Sequence, residues 1–319
     1  MAASIPTFPH LAGRAQAIEA LGWTGRDAEW IALVCLHSGV FVRAQFRDHH
    51  QCHRATVMRF TRRLIDARVA REHPLPDTRT RQRYCHVHGK SFYRPLGIPD
   101  ARHRRVPTEG VLWRRLLSLD AVIEAADLTW LPTEEEKVRY FTGLGIPREI
   151  LPERTYTGRG VTTRYFAWKL PIAGDAERAT FVYADSGLDT TRQLKRWCAE
   201  HEPLWAALRK AGLEVHVHAV ARTLAADARN ANFLAHHQAA ASTEAPLTTE
   251  EQRTLDEIEG ALFANDQAVL RRWGGLIPAS RVAAPLRNRL DALSEGRATH
   301  IDRVRTHVAS RVADDVYAA

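Results

Sequence analysis

Arginine can pair in a two-pronged way with guanine edges or grip phosphates, and one short stretch is crowded with it: HRATVMRFTRRLIDARVAR, His53–Arg71. At about 100° per residue, Val57, Phe60, Thr61, Leu64 and Ile65 share one face of a helix. Ala55, Arg59, Arg62, Arg63 and Asp66 lie opposite, and Arg54 and Met58 flank that outer face. A small residue among arginines on an outward face suits insertion into a nucleic-acid groove. Asp66 and Asp48 are read as surface partners of nearby arginines.

Two other groups of residues invite chemistry. His49, His50, Cys52 and His53, with Cys85, His86 and His88 downstream, are zinc-ligand types. They contain no C-x₂-C pair, and a strand would point Cys85 away from His86 and His88. The reading is therefore histidines lining a DNA-facing surface and cysteines packed as small apolar groups, with no metal and no cofactor. The second group is Glu153, Lys169, Asp175 and Asp185. A Mg²⁺-dependent nuclease needs carboxylates and a lysine that positions water, commonly as E-x-K on one strand. The strand FVYADSG offers Asp185 without a lysine two residues on, and YFAWKLP offers Lys169 without an acid. No catalytic residue is assigned.

The elements that position the arginines follow from the flanking pattern. RDAEWIALVCLHSG (Arg26–Gly39) reads as a helix with a glycine stop, and FVRAQFRDHH (Phe41–His50) as a second, short one. The arginine helix is the third. VAREHPL, the turn PDTRTR and QRYCHVHGKSFYRPLG then read as a hairpin with Arg79, Arg81 and Arg83 at its tip. Three helices and a basic hairpin are the order of a winged helix-turn-helix, whose third helix enters the major groove. The candidate DNA-binding residues are Arg54, Ala55, Met58, Arg59, Arg62, Arg63, Arg79, Arg81 and Arg83.

Charge supports that division. The chain of 319 residues carries a net charge of +8; the segment His37–Arg115 carries +12 and the remainder −4. Four irregularly spaced cysteines form no disulfide framework, no apolar run spans a bilayer, and MAASIPTFPH has no signal pattern. A reducing, cytoplasmic, nucleoid-associated protein is expected.

Beyond the hairpin, RHRRVPTEGVLWRRLLSLDAVIEAAD (Arg102–Asp127) reads as a linking helix with Leu112, Leu116, Leu119 and Ile123 as its stripe. Thr133 and Glu136 form a capping box. Strands are expected at Arg154–Gly160, Thr162–Ile172, Ala179–Gly187 and Leu213–Ala221, with an amphipathic helix at Thr190–Gly212. Helix, three strands, helix, strand is the core order of restriction-endonuclease-like domains. After the linker ASTEAPLTTEEQ (Ala241–Gln252), helices are expected to the end of the chain, the last on Ile301, Val304, Val308 and Val312.

With RFTRRLIDARVA, KSFYRPLG and FVYADSG in place, the chain over Arg26–Ala221 resembles the replication-relaxation and mobilisation-protein families of plasmids and integrative elements. The resemblance implies a winged helix joined to a restriction-endonuclease-like domain. Where those families usually follow the acidic strand residue with D-R-G-T-like residues, Ala184-Asp185-Ser186-Gly187 departs from them, so no catalytic role is carried over.

The expected fold is α+β: a winged helix-turn-helix over residues 1–100, a linking helix over 101–130, an inactive restriction-endonuclease-like α/β domain over 131–240 and a helical C-terminal region over 241–319. The expected function is sequence-specific double-stranded DNA binding by a transcriptional regulator of a mobile genetic element. A Mg-dependent nuclease or relaxase-type protein of plasmid mobilisation is the alternative. A single winged helix reads few base pairs, so a homodimer is expected, joined through the helix Thr190–Gly212 (Leu194, Trp197, His201, Leu204, Leu208) or the C-terminal helix.

Overall fold

Trp30, Ile31, Val34 and Cys35 recur at helical spacing, and in the computed structural model they are buried on the helix that organises the first part of the chain. The structure describes residues 8–78, 82–157, 161–239, 247–264, 266–294 and 300–312. Helix α1 (Arg14–Glu19) leads into α2 (Arg26–His37), strand β1 (Val40–Val42), α3 (Arg43–His49) and α4 (Arg54–Asp66). The hairpin β2 (Ala70–Pro74) and β3 (Arg83–Val87) and the short α5 (Lys90–Tyr93) follow. The three strands form an antiparallel sheet in the order β1-β3-β2. Phe46 of α3 stacks on Phe60 of α4 with ring centroids 4.5 Å apart, and Trp30 meets Phe46 edge-on at 5.2 Å. Gly39, at φ +72°, makes the turn into β1 where a Cβ would lie 2.7 Å from the carbonyl oxygen of His103.

Helix α6 (Glu109–Glu124) does more than link. Besides the expected stripe it buries Trp113, Leu117 and Ala121, and it touches both β1 and the larger sheet. A helix apolar on nearly every side belongs in a core. Helix α7 (Glu134–Gly143) starts with the expected capping box: Thr133 Oγ1 accepts from Glu136 N (3.1 Å), and Glu136 Oε2 accepts from Thr133 N (2.9 Å).

The strand expected at Thr162–Ile172 is two strands. β4 (Glu153–Tyr156) and β5 (Thr162–Tyr165) form their own two-stranded sheet. Phe166 and Lys169 then adopt positive φ of 50° and 56°, which turns the chain before β6 (Ile172–Gly174). β6 pairs antiparallel with β7 (Arg178–Asp185), and α8 (Thr191–Lys210) crosses over to β8 (Glu214–Ala221), parallel to β7. α9 (Leu224–Ala239) follows. A separate compact unit, Leu234–His300, holds α10 (Thr249–Phe263), α11 (Gln267–Arg272) and α12 (Leu276–Ser294), packed on Leu255, Ile258 and Leu270.

The expected C-terminal helix is not one. Arg303–Val308 forms β9, parallel to β8, completing a four-stranded sheet in the order β6-β7-β8-β9. Side-chain contacts reinforce the pairing: Val215 N donates to Asp302 Oδ2 (2.8 Å), and His218 Nε2 meets His307 Nδ1 (2.9 Å). The face of α8 expected to pair two subunits is also already covered. Trp197 packs on Tyr183 at 5.3 Å and Trp205 on Phe181 at 5.8 Å, and both indoles are buried within one chain. The fold is mixed α+β, and no helix among the described residues is long and apolar enough to cross a membrane.

Candidate nucleic-acid interface

Helix α4 splits as its sequence demands. Val57, Phe60, Thr61 and Leu64 are buried, and Ile65 is half-buried. Its start is set by His53, whose Nδ1 accepts from Ala55 N at 3.2 Å. On the outer face Arg54, Ala55, Arg59 and Arg62 are exposed, and Met58 leaves 46% of its surface in water. Arg54 and Arg59 have no side-chain partner among the described residues. Arg62 meets only Asp66, at 3.8 Å, with both side chains well exposed. Such a pair contributes little and yields readily to a stronger anion.

Arg63 is different from its neighbours. Its guanidinium lies 4.2 Å from the centroid of the Trp23 ring, donates to Gly22 O at 2.7 Å and sits 3.5 Å from Asp27. It fastens α4 to the segment before α2, so its charge is partly spent inside the fold. Arg83, on β3, donates to Glu72 O at 3.1 Å and lies 3.6 Å from Glu72 Oε2; Arg43 reaches the same carboxylate at 2.5 Å. Arg79 and Arg81 lie outside the described residues. Arg68 and Arg71, which the sequence reading passed over, extend the exposed charge beyond α4; Arg71 alternates outward on β2.

His49, His50 and His86 do not line this face, whereas His53, the exposed cap of α4, borders it. His49 and His50 are buried against Trp30, and His86 is buried with its Nε2 2.9 Å from His103 O. Burial pulls their pKa values down to about 4, 3 and 4. They are neutral core groups; Trp30 of α2 and Phe46 of α3 pack on His49 and His50, which local spacing around the histidines does not reveal. Cys35 and Cys85 are buried free thiols.

Asp185, at the end of β7, is bonded at both oxygens. Its Oδ1 accepts from Gly187 N (2.9 Å) and its Oδ2 from Arg229 (2.7 Å). Buried Asp189 lies nearby, 3.5 Å from Arg114, its carboxyl pushed up by burial. Glu153 stands exposed on the two-stranded sheet, Lys169 sits in the turn before β6, and Asp175 bonds the backbone of Glu177 and Arg178. Among the described residues, the side chains within reach of one ion are instead Glu124, His218 and His307. They already bond one another: His307 Nε2 lies 2.6 Å from Glu124 and its Nδ1 2.9 Å from His218, while Arg311 lies 3.3 Å from Glu124. This chain of bonds ties β9 to β8 and α6.

Compared with known protein families, curated proteins and solved structures, the chain shows no match.

Proposed function

We propose that this chain is a sequence-specific double-stranded DNA-binding protein that lays α4 in the major groove. One observation carries the reading: α4 turns Arg54, Met58, Arg59 and Arg62 to solvent, and two of those arginines have no side-chain partner among the described residues. The elements around α4 support it. Helices α2 and α3 lead directly into it, the β2–β3 hairpin follows it, and that is the order of a winged helix whose hairpin reaches the neighbouring backbone. Arg59 and Arg62 read guanines, Met58 packs against a thymine methyl, and Arg68 and Arg71 hold phosphates.

The sequence resemblance supports a transcriptional regulator of a mobile genetic element, with the β6–β9 sheet as an endonuclease-like domain that has lost its chemistry. Both oxygens of Asp185 are bonded within the protein, which favours binding over the nuclease alternative. A homodimer doubles the bases read. With α8 covered, the apolar surface left for it includes Phe263, Leu276 and Ile277 of the helical unit, exposed by 97%, 59% and 65%.

Selection from a random duplex library, followed by a gel shift on the enriched site, tests the function. An enriched motif bound more tightly than random duplex, with affinity falling steeply as salt rises, is the expected result. No enrichment and no retention at low salt would overturn it. Light scattering is expected to give twice the chain mass, and Phe263→Ser the mass of one chain; one chain mass for both removes the dimer.

A further inference from the structure

The basic segment does not end at the hairpin. Its downstream part, Gly97–Arg105, lines one wall of a cavity of about 580 Å³, a volume within the range of small-molecule sites. The end of α2, the β4–β5 sheet, the turn before β6 and the start of α7 supply the other walls. No residue of α4 or of the β2–β3 hairpin lines it.

Five cationic side chains line this cavity, Arg102, Arg105, Lys137, Arg164 and Lys169, against two acidic ones, Asp100 and Glu134. Glu134 is partly used already: it accepts from Tyr165 N (3.0 Å) and lies 3.8 Å from Arg164. Lys137 is 4% exposed, and its ammonium, with three N–H groups to satisfy, has one acceptor among the described residues, Leu170 O at 2.7 Å. The side chains of Arg105 and Lys169 have no hydrogen-bond or ion-pair partner among the described residues, and Arg102 rests only over the Tyr156 ring at 5.6 Å.

The cations also oppose one another. Burial first and Lys169 next lower the pKa of Lys137 to about 7; desolvation, then Arg102 and Arg115, lower that of Lys169 to about 8. Lys169 is presented from a backbone at φ 56°, in a turn closed by its own N–H on Phe166 O at 2.8 Å. Like charges gathered in a confined space, with few acids to offset them, are stabilised by an anion that enters. An excess of up to three positive charges suits a ligand with more than one negative charge. Aromatic walls at Tyr156 and Tyr165 suit a planar group beside it.

We infer that this cavity binds a small phosphorylated organic molecule of nucleotide size, its phosphates held by Arg102, Arg105, Lys137 and Lys169. The site stands apart from α4, so this inference and the DNA-binding reading succeed or fail independently.

Isothermal titration of the full chain with ADP and with pyrophosphate, at about 150 mM salt to suppress non-specific pairing, tests it. The expected result is saturable binding of ADP that pyrophosphate displaces. That binding weakens about tenfold or more in Lys169→Gln and in Arg105→Gln, both solvent-exposed positions whose folding circular dichroism verifies. Arg59→Gln, on α4, leaves it unchanged. Absence of binding by both probes overturns the inference, as does binding indifferent to both cavity variants. Lysine-dependent binding of a short single-stranded oligonucleotide with neither small probe bound also overturns it, making the cavity a nucleic-acid contact.

Discussion

Arg54, Arg59 and Arg62 of α4 and the arginines at the ends of β7 and β8 are the same residue in opposite circumstances. At the sheet end, Arg229 holds Asp185 at 2.7 Å, Arg114 faces Asp189 at 3.5 Å, and Arg222 lies 3.7 Å from the centroid of Trp113 while donating to Asp77 O. On α4, Arg54 and Arg59 reach water with no carboxylate beside them among the described residues, and Arg62 has one distant partner. A guanidinium taken out of water must be paired, and pairing consumes the valence that would recognise anything else. One left in water costs the fold nothing and keeps its fork for an external anion. Net charge therefore does not locate a binding surface; unpaired, solvated charge on a rigid element does.

Breaking the sheet end produces the largest effect. Asp185→Ala strands a partly exposed guanidinium, and we expect a loss of about 3 kcal/mol in urea unfolding. The folded fraction keeps its DNA affinity. A variant as stable as the parent removes the contrast at its buried pole. Acid comes next. His201 and His218, both buried, have pKa values lowered to about 4, chiefly by burial. The unfolded chain takes up their protons near pH 6.5 and the folded one only near 4, so stability is full above that window and falls as pH drops through it. By pH 5.5 each costs about 1 kcal/mol, read as a falling urea midpoint.

On α4 itself the expectation inverts. Arg59→Ala or Arg62→Ala lowers affinity for the selected site by about 1.5 kcal/mol and relaxes preference at one base. Stability moves by less than about 0.5 kcal/mol. Competition gel shifts and urea unfolding read the two quantities separately. The smallest effect belongs to Asp66→Ala: the exposed pair with Arg62 adds less than about 0.5 kcal/mol of stability, and losing its charge raises DNA affinity slightly.

What the sequence made legible was local. Val57, Phe60 and Leu64 at helical spacing located α4 and its outer face; Thr133 with Glu136 marked the start of α7. What it hid was decided by distant partners. Ile301, Val304, Val308 and Val312 satisfy a helical period, but Val304, Thr306 and Val308 satisfy a strand period equally, and the parallel pairing with β8 settles it. Arg63 reads like Arg62 in sequence, yet Trp23, forty residues before it, takes its charge. The cavity joins Arg102, Lys137 and Lys169 from three separate segments, and no spacing connects them.

The most direct measurement is the salt dependence of binding to the selected duplex, by the parent chain and by a variant with Arg54, Arg59 and Arg62 all changed to alanine. The account predicts a parent affinity that falls linearly with log salt. In the variant it is at least about a hundredfold weaker, with a slope flatter by roughly 1–3 and an unchanged urea midpoint. A variant that binds as tightly as the parent, with the same slope, contradicts it.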